Sequence, residues 1–228
     1  MEKISLIVAA MEVELNALLK EIAQYEEIKV KGETLYRFVR NDKVYYAGLG
    51  KIGKVHTAVY LTKMIESLNI ERIFNIGTSG GIDKELTTKD VIIATKVGYY
   101  DVDVTDFDYK LGQMCGCPQY FDCDMDYVKS HLKENDLSIK EGIVLSGDIF
   151  MNRAKYLKSN LVLLHDHILA CEMESGAVGQ VCYLYNIPFV AIRSISDIVT
   201  RDNNNIEEHE ANASETSTNS AKVLLQLI

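Results

Sequence analysis

The sequence predicts an α/β protein: a single domain over residues 1–228, with a mixed, mostly parallel central sheet flanked by helices. Three observations predict it. Apolar strand patterns alternate with helical patterns along the chain, which favours a sheet covered on both faces. The 228 residues, 47% hydrophobic and 25% charged, suffice for one sizeable core. Carboxylates stand where apolar runs end, at Glu14, Glu174 and Asp197. In open α/β sheets, ligands bind just outside the carboxyl ends of the strands.

The elements follow in order. Lys3 to Ala9 is an apolar run rich in β-branched residues and reads as a strand. Met11, Leu15, Leu18, Leu19 and Ile22 have helical spacing. Leu35–Val39 and Val44–Leu49 read as a hairpin around Asn41-Asp42, and Lys54–Leu68 as a helix. Arg72–Ile76 is a short buried strand that ends in Gly77-Thr78-Ser79-Gly80-Gly81, followed by a longer strand at Asp90–Tyr99. Asp124–Leu132 is helical, and Gly142–Leu145 and Leu169–Met173 are strands. Ser175–Tyr185 is a helix, Pro188–Ile195 a strand, and Ala221–Ile228 a closing helix. The polar stretch from Asn203 to Asn219 reads as a mobile loop.

Composition excludes several classes. A net charge of -9 argues against a nucleic-acid-binding surface. No run approaches the roughly 18 apolar residues of a membrane span. The N-terminus enters a strand pattern directly, so no signal peptide is expected. Five cysteines fit a reduced, cytoplasmic protein better than a disulfide scaffold.

Several motifs carry chemistry. A carboxylate at the end of a core strand is desolvated, which raises its pKa toward general acid work. Glu172 and Glu174 share one face if the strand persists, and an inward Arg193 needs an acidic partner. As a bland alternative, Glu174 or Asp197 stands at a helix N-terminus. Gly48-Leu49-Gly50-Lys51-Ile52-Gly53 spells the dinucleotide fingerprint, but the next strand ends without the acid that would hold a ribose. The glycines also suit a tight turn near a ligand, or a turn with no ligand. Cys115-Gly116-Cys117 with Cys123 is not a standard zinc spacing, and His165 and His167 read as a surface turn. No metal is expected.

The ordered set of segments resembles the 5′-methylthioadenosine/S-adenosylhomocysteine nucleosidases, of the purine nucleoside phosphorylase superfamily. The matching stretches are Ala9-Ala10-Met11-Glu12-Val13-Glu14, Gly50–Val55, Asn75–Gly81, Asp103–Phe107, Gly116–Pro118, Ser146–Asn152, Glu172–Glu174 and Ser194–Asp197. They run in family order up to about Thr200. The resemblance implies a nucleoside phosphorylase-like fold, no cofactor, and hydrolysis of the bond between adenine and a 5′-thio-substituted ribose. Cleavage of this kind passes through an oxocarbenium-like transition state.

The resemblance also assigns roles. Asp197 is the general acid toward adenine N7, and Glu14 activates the attacking water. Glu174 accepts hydrogen bonds from the ribose hydroxyls, and Met173 packs on the sugar. Thr78 stands where the family commonly has serine, and Ser196 precedes the acid. The backbone of Phe150 and Met151 reads the adenine edge, while the Phe150 ring stacks on the base for about 1–3 kcal/mol. Met11 and Ile52 line the near side of an apolar tail pocket. Phe107 and Tyr109 come to it across a homodimer interface. Beyond Asp197 the chain departs from the family: either Ile206 stands in for the usual aromatic residue or the lid is rearranged. A phosphorylase of the same fold, a non-catalytic nucleoside-binding protein and an NAD-linked oxidoreductase remain as alternatives.

Overall fold

The structure is a computed structural model that describes residues 2–134, 136–164, 166–202 and 204–228. Its chain order is β1 (Ile4–Ala9), α1 (Glu12–Ile22), β2 (Glu26–Val30), β3 (Glu33–Arg40), β4 (Lys43–Leu49), α2 (Lys54–Ile65), β5 (Ile70–Gly81) and β6 (Val91–Tyr99). There follow β7 (Tyr120–Asp122), α3 (Met125–His131), β8 (Ile139–Ser146), α4 (Arg153–Tyr156), β9 (Ile168–Glu172), α5 (Ser175–Tyr185), β10 (Phe189–Ile198) and α6 (Asn205–Leu227).

The strands form one sheet in the order β10-β6-β8-β9-β5-β1-β4-β3-β2, with β7 beside β6. β10 also pairs with β5, so five strands close into a ring and the rest extend from it. The sheet is mixed, but less parallel than expected. Pairs β1–β4, β1–β5, β5–β10, β6–β8 and β8–β9 run parallel. Pairs β2–β3, β3–β4, β5–β9, β6–β7 and β6–β10 run antiparallel. Tight turns impose part of this, because strands joined by a two-residue loop can only pair antiparallel. Lys31-Gly32 and Asn41-Asp42 supply such loops, all four residues at positive φ.

Both sheet faces are covered. Leu6 and Val8 of β1 pack in one cluster with Leu61 and Met64 of α2 and Val178 of α5. Ile7 and Ala9 face the other way, among Leu15 and Leu18 of α1 and Val223 and Leu224 of α6. Successive side chains of a strand point to opposite faces, so a strand buried on both sides reads as a continuous apolar run. That explains why β1, β6 and β10 were legible.

Two expectations are corrected. The glycine-rich segment Gly77–Gly81 does not end a short strand; it is the second half of the twelve-residue β5. The polar stretch before Asn219 is not a loop from residue 205 onward; α6 begins at Asn205. Asn203 and His165 lie outside the described residues, and with them the start of that stretch and the expected turn at His165–His167. The helix buries small polar residues, Thr216, Ser217 and Ser220 among them, against the sheet. Two of these hydroxyls bond back to their own helix, Thr216 to the Asn212 carbonyl at 2.9 Å and Ser220 to that of Ser217 at 3.0 Å, while the Ser217 hydroxyl is buried without a partner. A hydroxyl satisfied this way can be buried cheaply, so polarity alone misjudged the segment. Among the described residues, no helix is long and apolar enough to cross a membrane.

Candidate active site

A cavity of about 450 Å³ opens at the carboxyl ends of β1, β5, β9 and β10. The loop after β8 and the first turns of α6 complete its walls. The chain reversal after each strand turns polar groups toward it, as the strand-end rule anticipates.

Glu14 lies in the first turn of α1 and is buried. Its Oε2 accepts from the Ala10 and Met11 N–H groups, each at 3.0 Å. Its Oε1 accepts from the Thr78 N–H at 2.8 Å and the Thr78 hydroxyl at 3.2 Å. These donors fix the carboxylate on the cavity wall. Gly77 makes the approach feasible, since a Cβ there would lie 2.6 Å from both Glu14 Oε1 and Arg193 Nη1.

Arg193, on β10, is the scaffold of the acidic wall. Its Nη2 donates to Glu172 Oε2 at 2.7 Å and to Asn75 Oδ1 at 2.6 Å. Glu172 also accepts from the Ser146 hydroxyl and from the Glu174 and Ser175 N–H groups. The inward arginine therefore has its acidic partner, and Glu172 is locked by the same bonds.

β9 ends at Glu172, so the shared strand face expected for Glu172 and Glu174 does not persist. Glu174 is the N-cap residue of α5 and lines the cavity. Its Oε1 accepts from the Gly53 N–H at 2.9 Å. Burial, and then repulsion from Glu172, push its carboxyl up to about 8.

Asp197 lies within β10 and is only 2% exposed. Ser196 Oγ donates to its Oδ1 at 2.8 Å, and Asn205 Nδ2 to its Oδ2 at 3.0 Å. Burial raises its carboxyl above the ordinary value, and those two donors offset part of the rise.

The dinucleotide reading of Gly48–Gly53 meets a physical obstacle. The backbone donors that such a turn offers to a pyrophosphate already hold carboxylates: Gly53 N–H bonds Glu174, and Lys54 N–H bonds Asp148 at 2.9 Å. Gly53 takes φ +97°, which suits glycine at this junction. The loop carrying Asp148, Ile149 and Phe150 is tied down as well. Tyr100 donates to the Ile149 carbonyl at 3.1 Å, Lys155 to that of Phe150 at 2.8 Å, and Asp148 N–H to Asp101 at 3.0 Å.

Of the residues singled out in the sequence, the structure brings Glu14, Asp197, Glu174, Met173, Phe150 and Met151 to this one cavity. It brings Thr78, Ser196, Met11, Ile52 and Ile206 there as well. It does not bring Phe107 or Tyr109; Phe107 sits on a short turn and is 74% exposed. Sequence reasoning missed Cys171, Asn205 and His209. The last two belong to a polar stripe on α6, with Asn212, at helical spacing. Asn212 Nδ2 donates to the Ser196 carbonyl at 2.9 Å, and His209 Nδ1 lies 2.9 Å from Ser196 Oγ. That periodicity was the available signal. Among the described residues, no group of three or more His, Cys, Asp or Glu side chains could hold a metal ion. Cys115 is exposed, while Cys123 is buried in the core.

The same architecture recurs in known proteins. A family model of the phosphorylase superfamily matches residues 5–228. The 5′-methylthioadenosine/S-adenosylhomocysteine nucleosidase of Desulfotalea psychrophila is 35% identical over 227 residues, covering 97% of this chain and 95% of its own. That of Psychromonas ingrahamii is 35% identical over 199 residues, 84% of each chain. A Borrelia burgdorferi B31 protein crystallised with adenine is 31% identical, with a TM-score of 0.91 over 98% of both chains. A mutant Helicobacter pylori nucleosidase with 5′-methylthioadenosine in its active site is 27% identical, with a TM-score of 0.88 over 100% of this chain and 98% of that one. With its ring of strands and its acid-lined cavity, this chain belongs to the phosphorylase superfamily and, within it, to the family of the 5′-methylthioadenosine/S-adenosylhomocysteine nucleosidases.

Proposed function

We propose that this chain hydrolyses the N-glycosidic bond of 5′-thio-substituted adenosines, methylthioadenosine and S-adenosylhomocysteine, to adenine and the thioribose. One observation carries the reading: two buried carboxyl groups, Glu14 and Asp197, each held by hydrogen-bond donors, line one cavity. Burial raises the Asp197 carboxyl above its ordinary value, which suits it to serve as the acid that protonates adenine N7 as the bond breaks. Glu14, held by three backbone N–H groups and a hydroxyl, orients the water and takes its proton as the sugar carbon gains oxygen. Proton and atom balance close: water gives hydroxyl to the ribose, and adenine leaves with a proton. Glu174 binds the ribose hydroxyls from the N-terminus of α5, with Met173 against the sugar. Phe150 stacks on the base, the Phe150 and Met151 backbone reads its edge, and Thr78 and Ser196 hold the two acids.

A phosphorylase needs a cation beside its nucleophile to hold a phosphate dianion. Here Arg193 is committed to Glu172 and Asn75, and the carboxylate of Glu14 would repel phosphate. Adenine release from methylthioadenosine, S-adenosylhomocysteine and inosine, with and without phosphate, tests the reading. The first two react without phosphate and inosine poorly; a strict phosphate requirement overturns it.

The working unit in this reading is a homodimer. Ile52, Val55 and Val59 make one apolar face, 50%, 72% and 51% exposed, that continues into the cavity rim at Ile52. Phe107 and Tyr109 of a second copy would close the tail pocket formed by Met11, Ile52 and Ile206. The cytoplasm fits five cysteines that are all free thiols.

A further inference from the structure

An acid that is 2% exposed loses a proton in every turnover and must regain one. Asp197 has no broad face toward solvent, but a hydrogen-bonded chain leads away from it. Ser196 Oγ donates to Asp197 Oδ1 at 2.8 Å, and His209 Nδ1 lies 2.9 Å from the same Oγ. His209 is half-buried, lines the cavity mouth and sets its ring edge on Phe150, with centroids 5.6 Å apart. We propose that His209 is a positioning residue that returns the proton to Asp197 through the Ser196 hydroxyl, resetting the acid after each cleavage. This rests on the hydrolase reading above.

The proton count is explicit. While Asp197 is ionised, the single Ser196 proton goes to Oδ1 at 2.8 Å and not to the more distant Ser79 carbonyl at 3.3 Å, so Oγ accepts and His209 carries hydrogen on Nδ1. From the imidazolium, the His209 Nδ1–H bond breaks as a new Ser196 O–H bond forms. The old Ser196 O–H bond breaks as Asp197 gains its proton. Imidazolium and carboxylate become neutral imidazole and neutral acid. A rotation of the half-buried ring then turns its basic nitrogen to solvent, where water and buffer acids as well as hydronium supply the next proton. An imidazole is ordinarily more basic than a carboxylate by about 2.6 pKa units and takes a proton from such weak acids faster.

The groups around His209 are Asp197 on β10, Lys155 on α4, Glu208 and Glu210 on α6, and Glu172, Glu174 and Glu14 across the cavity. Acids outnumber the cation, so the field at the mouth attracts protons. Magnitudes say where the relay matters. At about pH 8, hydronium arriving at a diffusional ceiling of ~10¹⁰ M⁻¹s⁻¹ protonates a site on the order of 100 times per second. That is within the usual range of kcat, about 1–1000 s⁻¹. At about pH 6 the same supply is a hundredfold larger, and no relay is needed.

The test is kcat and KM against pH for the unaltered protein, His209→Phe and His209→Gln, with adenine binding as a check of folding. Phe keeps a ring against Phe150; Gln keeps an N–H donor for Ser196 but passes no proton. We expect both variants within about twofold of the unaltered kcat near pH 6 and about tenfold slower near pH 8.5, with KM within about twofold. Added imidazole is expected to restore the alkaline rate of His209→Ala. If His209→Phe does not fold, the Gln and Ala variants carry the comparison. A Phe variant that tracks the unaltered protein at every pH overturns the proposal. So does a Gln variant with a full alkaline rate, or a loss that is uniform in pH and accompanied by a raised KM. An unaltered protein that needs phosphate fails the hydrolase reading instead, and takes this inference with it.

Discussion

Arg193 Nη2 lies 2.7 Å from Glu172 Oε2, with the two side chains 1% and 4% exposed. Such a pair gains little over apolar packing, yet breaking it strands a buried charge. Arg193→Met is therefore expected to cost about 3–5 kcal/mol in urea denaturation. It also loosens the wall that holds Glu172 beside Glu174, so turnover falls. Adding Glu172→Met removes the stranded carboxylate and recovers at least about 2 kcal/mol. Strictly additive losses would show that the pair is not the coupling element.

Asp197→Asn separates catalysis from binding. The amide keeps an oxygen for one of the two donors at Ser196 and Asn205 but cannot supply the proton. The expected result is kcat lower by about 10²–10⁴, with an adenosine analogue still bound within a few-fold. Equal losses of turnover and affinity would favour a non-catalytic nucleoside-binding protein.

The legible parts of this chain were those whose burial is written as apolar periodicity. β1 and β10 are buried on both faces, β6 likewise except at Thr95 and Lys96, and α1 shows its stripe at Leu15, Leu18 and Leu19. Carboxylates at the ends of such runs, Glu14, Glu174 and Asp197, were legible for the same reason. What stayed hidden depends on pairing. β5 runs through five small residues because β10 and β9 bond its backbone, which side chains do not announce. α6 buries hydroxyls that satisfy themselves, and ring closure by β10 joins strands far apart in sequence. His209 was hidden with α6, since its partner Ser196 is visible only once the helix lies on β10.

The raised carboxyls make stability depend on pH with a definite sign. Glu174 and Asp197 bind protons more tightly folded than unfolded, so folding takes up protons and stability falls as pH rises. For Glu174 the loss runs from the ordinary value of 4.5 up to about 8. Each unit of elevation is worth about 1.4 kcal/mol. Glu174→Gln cannot ionise and keeps an oxygen for Gly53. It is expected to melt several °C above the unaltered protein near pH 8.5, at about 2–4 °C per kcal/mol, and to match it near pH 4. Melting temperatures at the two pH values decide it: an offset independent of pH would mean that ionisation of Glu174 is not the cause.

Val59, 51% exposed on α2, distinguishes a monomeric from a dimeric site. In a lone chain, Val59→Glu touches mostly solvent, and a surface change of this kind moves stability by no more than about 0.5 kcal/mol. At an apolar subunit interface the same carboxylate is buried without a partner, which is strongly unfavourable. Light scattering is thus expected to show a dimer for the unaltered chain and a monomer for the variant, at nearly unchanged chain stability. If Phe107 and Tyr109 of a second copy close the tail pocket, the monomer also loses contact with the 5′-thio group. A buried methylene is worth about 0.8 kcal/mol, so losing the contacts of a methylthio group raises KM for methylthioadenosine roughly tenfold. A compact monomer in the unaltered protein, or a monomeric variant with unchanged KM, would mean that the cavity is complete within one chain.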